Sequence, residues 1–217
     1  MREGLKPATG RLTRFGALVR ERPARAWRYA SALLRGTWYA AYFRVFRRDV
    51  RIALPLFAFG RVSIRGPGRV RIGPGCFVMT SVFRGLSIVT FSPQAQVEIG
   101  ARCALGGLAI RCRERVRLGD GVRTAAALVQ DTLFCDAEAA ARTGTRALEA
   151  APIDVGANAW IGLSSAVLCA ASLGDDVVVS AGAVCRGVTA APYTLLSGNP
   201  AGRPLPISML LAARSSS

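Results

Sequence analysis

Val155-Gly-Ala-Asn-Ala-Trp160, Ile161-Gly-Leu-Ser-Ser-Ala166, Val167-Leu-Cys-Ala-Ala-Ser172, Leu173-Gly-Asp-Asp-Val-Val178, Val179-Ser-Ala-Gly-Ala-Val184 and Cys185-Arg-Gly-Val-Thr-Ala190 follow one another without a gap. Position one of every hexad is apolar. Position two tends to be small (Gly156, Gly162, Gly174, Ser180), and position five is small or β-branched (Ala159, Ser165, Ala171, Val177, Ala183, Thr189). A period of six fits neither an α-helix nor an alternating strand, so it predicts an all-β solenoid in which each hexapeptide forms one short face. Three faces close a triangular coil, with the position-one side chains stacked inside and small residues at the corners.

The same grammar occurs upstream in less regular form. Val70-Arg-Ile72-Gly-Pro-Gly-Cys76 leads to Val78, Val97-Glu-Ile99-Gly-Ala-Arg-Cys103 to Leu105, and Val116-Arg-Leu118-Gly-Asp-Gly-Val122 to Thr124. The solenoid is therefore expected from near Val62 to about Ala190. Two stretches lack the repeat: Phe83 to Gln96, read as an irregular coil, and Asp131 to Pro152, read as a loop. The organisation expected is a basic N-terminal segment over 1–55, a solenoid domain over 56–203 with its loop at about 131–152, and a tail over 204–217.

The 217 residues suffice for one domain with a sizeable core, and an apolar share of 51% argues against wholesale disorder. Six cysteines occur without a C-x-x-C pair or a secretory leader, which reads as neither a disulfide framework nor a zinc site. No metal is expected. Cys76, Cys103 and Cys185 occupy inward repeat positions, as core packing in a reducing compartment would have them. No cleavable signal peptide and no transmembrane helix are read, because Gly, Asn and Ser interrupt the uncharged run from Val155 to Gly174 at solenoid corners. The expected location is cytoplasmic.

The net charge of +16 is uneven. Residues 1–51 hold 13 Lys/Arg against three Asp/Glu, which is +10 of the total. Phe15, Leu18, Val19, Trp27, Ala30, Leu33 and Leu34 recur at helical spacing among arginines, and Trp38, Tyr39, Tyr42, Phe43 and Phe46 extend the aromatic side. Two readings stay open and are compatible: a helix that caps the open end of the solenoid, and a basic amphipathic helix making peripheral contact with an anionic membrane on its cytoplasmic face. Nucleic acid is the weaker partner, since no nucleic-acid motif accompanies the charge.

Ile153-Asp-Val-Gly-Ala-Asn-Ala-Trp160-Ile-Gly, Leu173-Gly-Asp-Asp, Ser180-Ala-Gly-Ala-Val, Pro192-Tyr and Gly198-Asn-Pro-Ala201 occur in that order. Together they resemble the C-terminal half of the left-handed β-helix hexapeptide acyltransferases, with the nearest likeness to the maltose/galactoside and colanic-acid-type sugar O-acetyltransferases. The likeness is specific over Ile153 to Arg203, weaker over Val62 to Asp136 and absent before that. It implies a left-handed parallel β-helix, a homotrimer, and acetyl-CoA or another acyl-CoA as cosubstrate in a groove between subunits, with no tightly bound cofactor. The implied acceptor is a hydroxyl of a sugar or glycolipid in polysaccharide or cell-envelope synthesis.

In that family a histidine is the general base, a task suited to imidazole because its pKa lies near working pH. It commonly ends an Asp-Thr-x-Phe-His stretch, and here the stretch is Asp131-Thr-Leu-Phe-Cys135. The chain contains no histidine at all. Cys135 thus stands at the usual base position, with Asp131 as the other catalytic candidate. Three outcomes stay open: binding without catalysis, transfer by another base or by positioning alone, and Cys135 acting as a thiolate. A non-catalytic β-helix that binds CoA, sugar or a partner protein, in a mixed trimer for instance, is the alternative reading. The resemblance places the CoA arm along Gly162, Ala181 and Gly182, Trp160 near the acyl or acceptor end, and Arg186 or Arg203 near the CoA phosphates. The zinc-dependent carbonic anhydrases of the same fold need three histidines and are excluded by composition.

Overall fold

The computed structural model describes residues 23–80, 85–132 and 150–208. A 24-residue helix, α1 (Pro23–Phe46), precedes a chain that winds into six parallel β-coils. Coil one holds β1 (Val50–Ile52), β2 (Leu56–Ala58) and β3 (Arg61–Arg65); coil two holds β4 (Arg69–Ile72), β5 (Cys76–Met79) and β6 (Gly85–Thr90). Coil three is β7 (Gln96–Ile99) and the long β8 (Ala104–Cys112), and coil four is β9 (Arg115–Leu118) and the long β10 (Arg123–Gln130). Coil five is β11 (Ile153–Val155), β12 (Trp160–Ile161) and β13 (Ala166–Leu168); coil six is β14 (Ser172–Leu173), β15 (Val178–Val179) and β16 (Val184–Cys185). β17 (Thr189–Ala190) and β18 (Thr194–Leu196) begin another turn, after which β19 (Leu205–Pro206) runs back antiparallel along β18.

Strands stack into three faces. β1, β4, β7, β9, β11, β14 and β17 form the first, and β2, β5, β12, β15 and β18 the second. β3, β6, β13 and β16 form the third, while β8 and β10 bend across from the second face to the third. Inward side chains form columns along the axis. Val78, Leu105, Thr124, Ile161, Val179 and Leu196 make one; Ile64, Ile88, Ile110, Val129, Val167 and Cys185 make another. Each fully buried Val, Leu or Ile in such a column contributes about 1.5–3 kcal/mol. The hexad rule has this origin, because parallel ladders demand an apolar residue at the same place in every coil.

The corners need left-handed backbone. Arg102, Gly121, Asn158, Asp176 and Tyr193 stack at the edge between the first and second faces with φ of 55 to 70°. Gly107, Ala126, Ser164 and Gly182 stack at the second edge with φ of 47 to 70°, and Ala170 and Gly187 at the third with φ of 60 and 59°. Glycine, asparagine and aspartate suit this region, whereas Ala and Arg tolerate it only inside a stack that fixes the backbone.

The structure departs from the sequence reading in three places. Coil one begins at Val50, which pairs with Val70, ahead of the Val62 expected. Gly85–Thr90, within the stretch read as irregular, is a regular third-face strand whose Leu86 and Ile88 sit in the core; corners of unequal length hid its register. Thr189, counted as a position five, faces out, because Ala190 and not the following residue pairs with Leu173. The corner at Arg186–Val188 is one residue short of the hexad count. Cys76, Cys103 and Cys185 are buried as their positions require.

α1 lies on the start of the stack, against β2 and β1. Ala32, Gly36 and Phe43, at steps of four and seven, form its inner side, with Ala26 buried beside them at its start. The approach is closest at Gly36, where a Cβ would overlap the carbonyl oxygen of Leu56.

Candidate functional site

Of the residues singled out in the sequence, Asp131, Gly162, Ala181, Gly182 and Arg186 border the third face in coils four to six, whereas Trp160 lies on the second face and Arg203 beyond coil six. Trp160 is 55% exposed on the second face, between Arg123 and Val178 in the outward row. Gly162 follows it into the second edge, and Ala181 and Gly182 occupy that edge one coil further on. The third edge is a ladder of main-chain hydrogen bonds. Ala151 N–H donates to the Asp131 carbonyl, Ala170 N–H to that of Ala151, and Gly187 N–H to that of Cys169. Asp131 therefore stands above Cys169–Ala170, which stand above Arg186–Gly187. Cys135 lies outside the described residues.

The three glycines behave differently. A Cβ on Gly162 would lie 2.7 Å from Ala181 N and from Val179 O, so this glycine exists to let the next coil approach. Its bare side is already covered by protein. Gly182 and Gly187 have φ of +70° and +59°, and a Cβ on either would meet nothing within 4 Å. They flank Val184–Arg186 on coil six and leave backbone open to solvent on both borders of the third face. Between the borders the outward side chains of coils five and six are Ala166, Leu168, Val184 and Arg186, a smooth strip with one cation at its edge. Such a strip suits a thin, amide-bearing chain lying along the coil, with the anionic end of the ligand toward Arg186. Sequence reasoning missed Gly187; its signal is the shortened step after Cys185.

Asp131 is fully buried. Its carboxylate accepts the main-chain N–H groups of Arg113, Glu114 and Arg115 at 2.7–3.0 Å and the Cys112 thiol at 3.4 Å. Those donors occupy both oxygens, so Asp131 ties the corner of coil three to coil four. Burial, together with the Asp131 charge, pushes the Cys112 thiol well up. Cys103 is raised first by the hydrogen bond it shares with Cys76 and then by burial, and burial alone pushes Cys185 up to about 11. These three thiols stay protonated and serve as packing.

Arg186 and Arg203 are both exposed. The ion pairs among the described residues are Arg71–Glu98, Arg102–Asp120 and Arg115–Asp154, so neither arginine is committed to a carboxylate there. No group of three or more metal-ligating side chains occurs among the described residues. A concavity of about 1220 Å³ lies elsewhere, along the first face from Arg51 to Asp175. It is floored by Gly73, Gly100, Gly119, Gly156 and Gly174, whose bare sides each face the next coil within 2.7 Å. Coil stacking accounts for that glycine row.

Comparison with solved structures identifies the architecture as the left-handed parallel β-helix of hexapeptide acyltransferases. A point variant of AntD, an N-acyltransferase from Bacillus cereus in complex with dTDP and coenzyme A, superposes with a TM-score of 0.55 at 13% identity, over 82% of this chain and 96% of that one. The polySia-specific acetyltransferase NeuO gives a TM-score of 0.53 at 18% identity, over 72% and 70% of the two chains. At these identities the likeness is one of fold. No protein-family model and no curated protein matches the sequence.

Proposed function

We propose that this protein is an acyl-CoA-dependent O-acyltransferase acting on a sugar hydroxyl in polysaccharide or cell-envelope synthesis, with a weakened or altered base. The observation that carries the reading is the smooth third-face strip bordered by Gly182 and Gly187, open to a ligand on a fold shared with a coenzyme A-bound acyltransferase. The pantetheine amides would run along Ala181–Gly182, with Arg186 or Arg203 toward the phosphates and Trp160 toward the acyl or acceptor end. A homotrimer in the cytoplasm completes the proposal, with the groove lying between subunits.

The chemistry is attack of an acceptor oxygen on the thioester carbonyl, with loss of CoA thiolate and of the hydroxyl proton. With no histidine in the chain, the proton goes to another base or to water. Loss of a general base typically costs about 10²–10⁴-fold, while positioning still supplies a large share of the acceleration. Calorimetric titration with acetyl-CoA tests the first half of the proposal. Saturable binding at about one site per subunit, abolished by Gly182→Val, supports it. Slow transfer to a sugar panel, unchanged in Cys135→Ala, then assigns the rate to positioning, and a large loss in that variant assigns it to the thiol. No binding by folded, trimeric protein at millimolar acetyl-CoA leaves the non-catalytic β-helix as the function.

A further inference from the structure

α1 has two apolar sides, and among the described residues only one of them packs on a strand. Opposite the side seated on β2, Trp27 (72% exposed), Leu34 (69%), Trp38 (60%) and Val45 (72%) follow at intervals of seven, four and seven. At 3.6 residues per turn these four fall within about 40° of one another and form a stripe about 27 Å long. Tyr42 widens the stripe, its ring stacked on Trp38 with centroids 5.4 Å apart. No charged residue lies on it. Arg28 and Arg35 flank it on one side and Arg44 and Arg48 on the other, and the helix contains no Asp or Glu.

The Arg44 side opens into a cavity of about 770 Å³ between the helix and β1. Thr37, Ala41, Arg44, Arg47, Arg48 and Arg51 line it, and no carboxylate does. Arg47 donates to the Gly66 carbonyl, which fixes one wall. Arg44, Arg48 and Arg51 have no ion-pair partner among the described residues. An apolar stripe thus adjoins a pocket of unpaired guanidinium groups, a geometry that matches acyl chains beside headgroup phosphates.

We propose that α1 docks the protein on an anionic phospholipid surface, with the Trp27–Leu34–Trp38–Val45 stripe in the headgroup–acyl boundary and lipid phosphate in the arginine cavity. The helix lies on the bilayer rather than crossing it, since no helix among the described residues is long and apolar enough to span. A second copy of the chain is the poorer occupant, because an isologous contact would set the arginine rows of both copies against each other without a carboxylate from either helix. The proposal rests on α1 and the adjoining arginine cavity and stands or falls independently of acyl transfer.

The test is co-sedimentation of the full chain with vesicles of phosphatidylcholine alone and of an equimolar phosphatidylcholine–phosphatidylglycerol mixture. The expected result is binding to the mixed vesicles, weakened by salt and nearly absent from the neutral ones. Arg44→Gln with Arg48→Gln should lower partitioning about 30-fold, taking roughly five- to sixfold per charge near the surface. Leu34→Ser with Trp38→Ser should lower it at least about tenfold, through lost apolar burial. Both are surface changes and should leave far-UV circular dichroism unchanged. Several results would overturn the proposal: no binding to the mixed vesicles, wild-type partitioning by both folded double variants, release by inorganic phosphate with the apolar variant unaffected (a soluble-anion site), or dissociation of a lipid-free oligomer by the stripe variant (a second copy as the occupant).

Discussion

Gly36→Ala opposes intrinsic propensity to packing, and the structure says which wins. In an isolated helix the change is favourable by about 1 kcal/mol. In α1 the new methyl would overlap the Leu56 carbonyl oxygen and lie 2.7 Å from its carbon and 3.1 Å from Leu56 Cβ. Carbon atoms pack at about 3.5–4.0 Å, so the helix must lift from β2 by roughly 1 Å. A gap of that size forfeits a quarter to a half of each dispersion contact, here along the seam that buries Ala32, Phe43 and Leu56. Overpacking of this kind costs about 1–3 kcal/mol before the propensity gain, and the lifted seam adds to it. The expected net is about 1–3 kcal/mol of destabilisation, which for a chain of this size lowers Tm by about 2–12 °C. Thermal and urea unfolding followed by circular dichroism read it, with Thr37→Ala as the control at an exposed position of the same helix. The control should be neutral or slightly stabilising. Equal or higher stability of Gly36→Ala would refute the seating of α1 on β2.

Three further outcomes follow from groups already described. Asp131→Ala strands three main-chain donors and should cost about 2–4 kcal/mol in urea unfolding, with Asn costing about half as much; wild-type stability in Ala would deny Asp131 its structural task. Thr124 places a buried hydroxyl, with no partner among the described residues, in the Leu105–Thr124–Ile161 column, so Thr124→Val should raise stability by about 1 kcal/mol. For Cys185 the folded thiol titrates above the unfolded one, so the folded state holds its proton longer and stability declines as pH rises. The contribution is intact below about pH 8.5 and is lost toward the folded value of about 11. At pH 10 the wild type should have lost about 1–2 kcal/mol more, relative to pH 8, than Cys185→Val has. Parallel pH dependences would show that this thiol ionises freely in the folded chain.

The solenoid was legible where corner length is constant. From Val155 to Cys185 every turn takes 18 residues, so the inward column surfaces as a sixfold count. Upstream, β8 and β10 each run on as one long strand across an edge, and the turns lengthen and shorten, so the same column exists without a visible period. The site was less legible for a different reason. Gly162 and Gly182 look alike in the sequence, yet one faces the next coil and the other faces open space. Asp131 carried a familial role, but its partners are 16–18 residues away and nothing local announces them. The second apolar side of α1 was hidden because aromatic residues on two opposite sides read as one broad hydrophobic run.

A parallel coil ends, in principle, as it began: its last strand offers the pattern on which its first could pair, and copies so matched would add end to end. Both ends of this stack are denied that use. At the head, α1 lies across β1 and β2, with Gly36 set against the Leu56 carbonyl. At the tail, β19 returns along β18 with reversed polarity, through Thr194↔Pro206 and Leu195↔Leu205, and brings a proline into the outermost strand. The architecture therefore has a built-in length and resists polymerisation into a fibre, and removing either stop is the shortest route to making one.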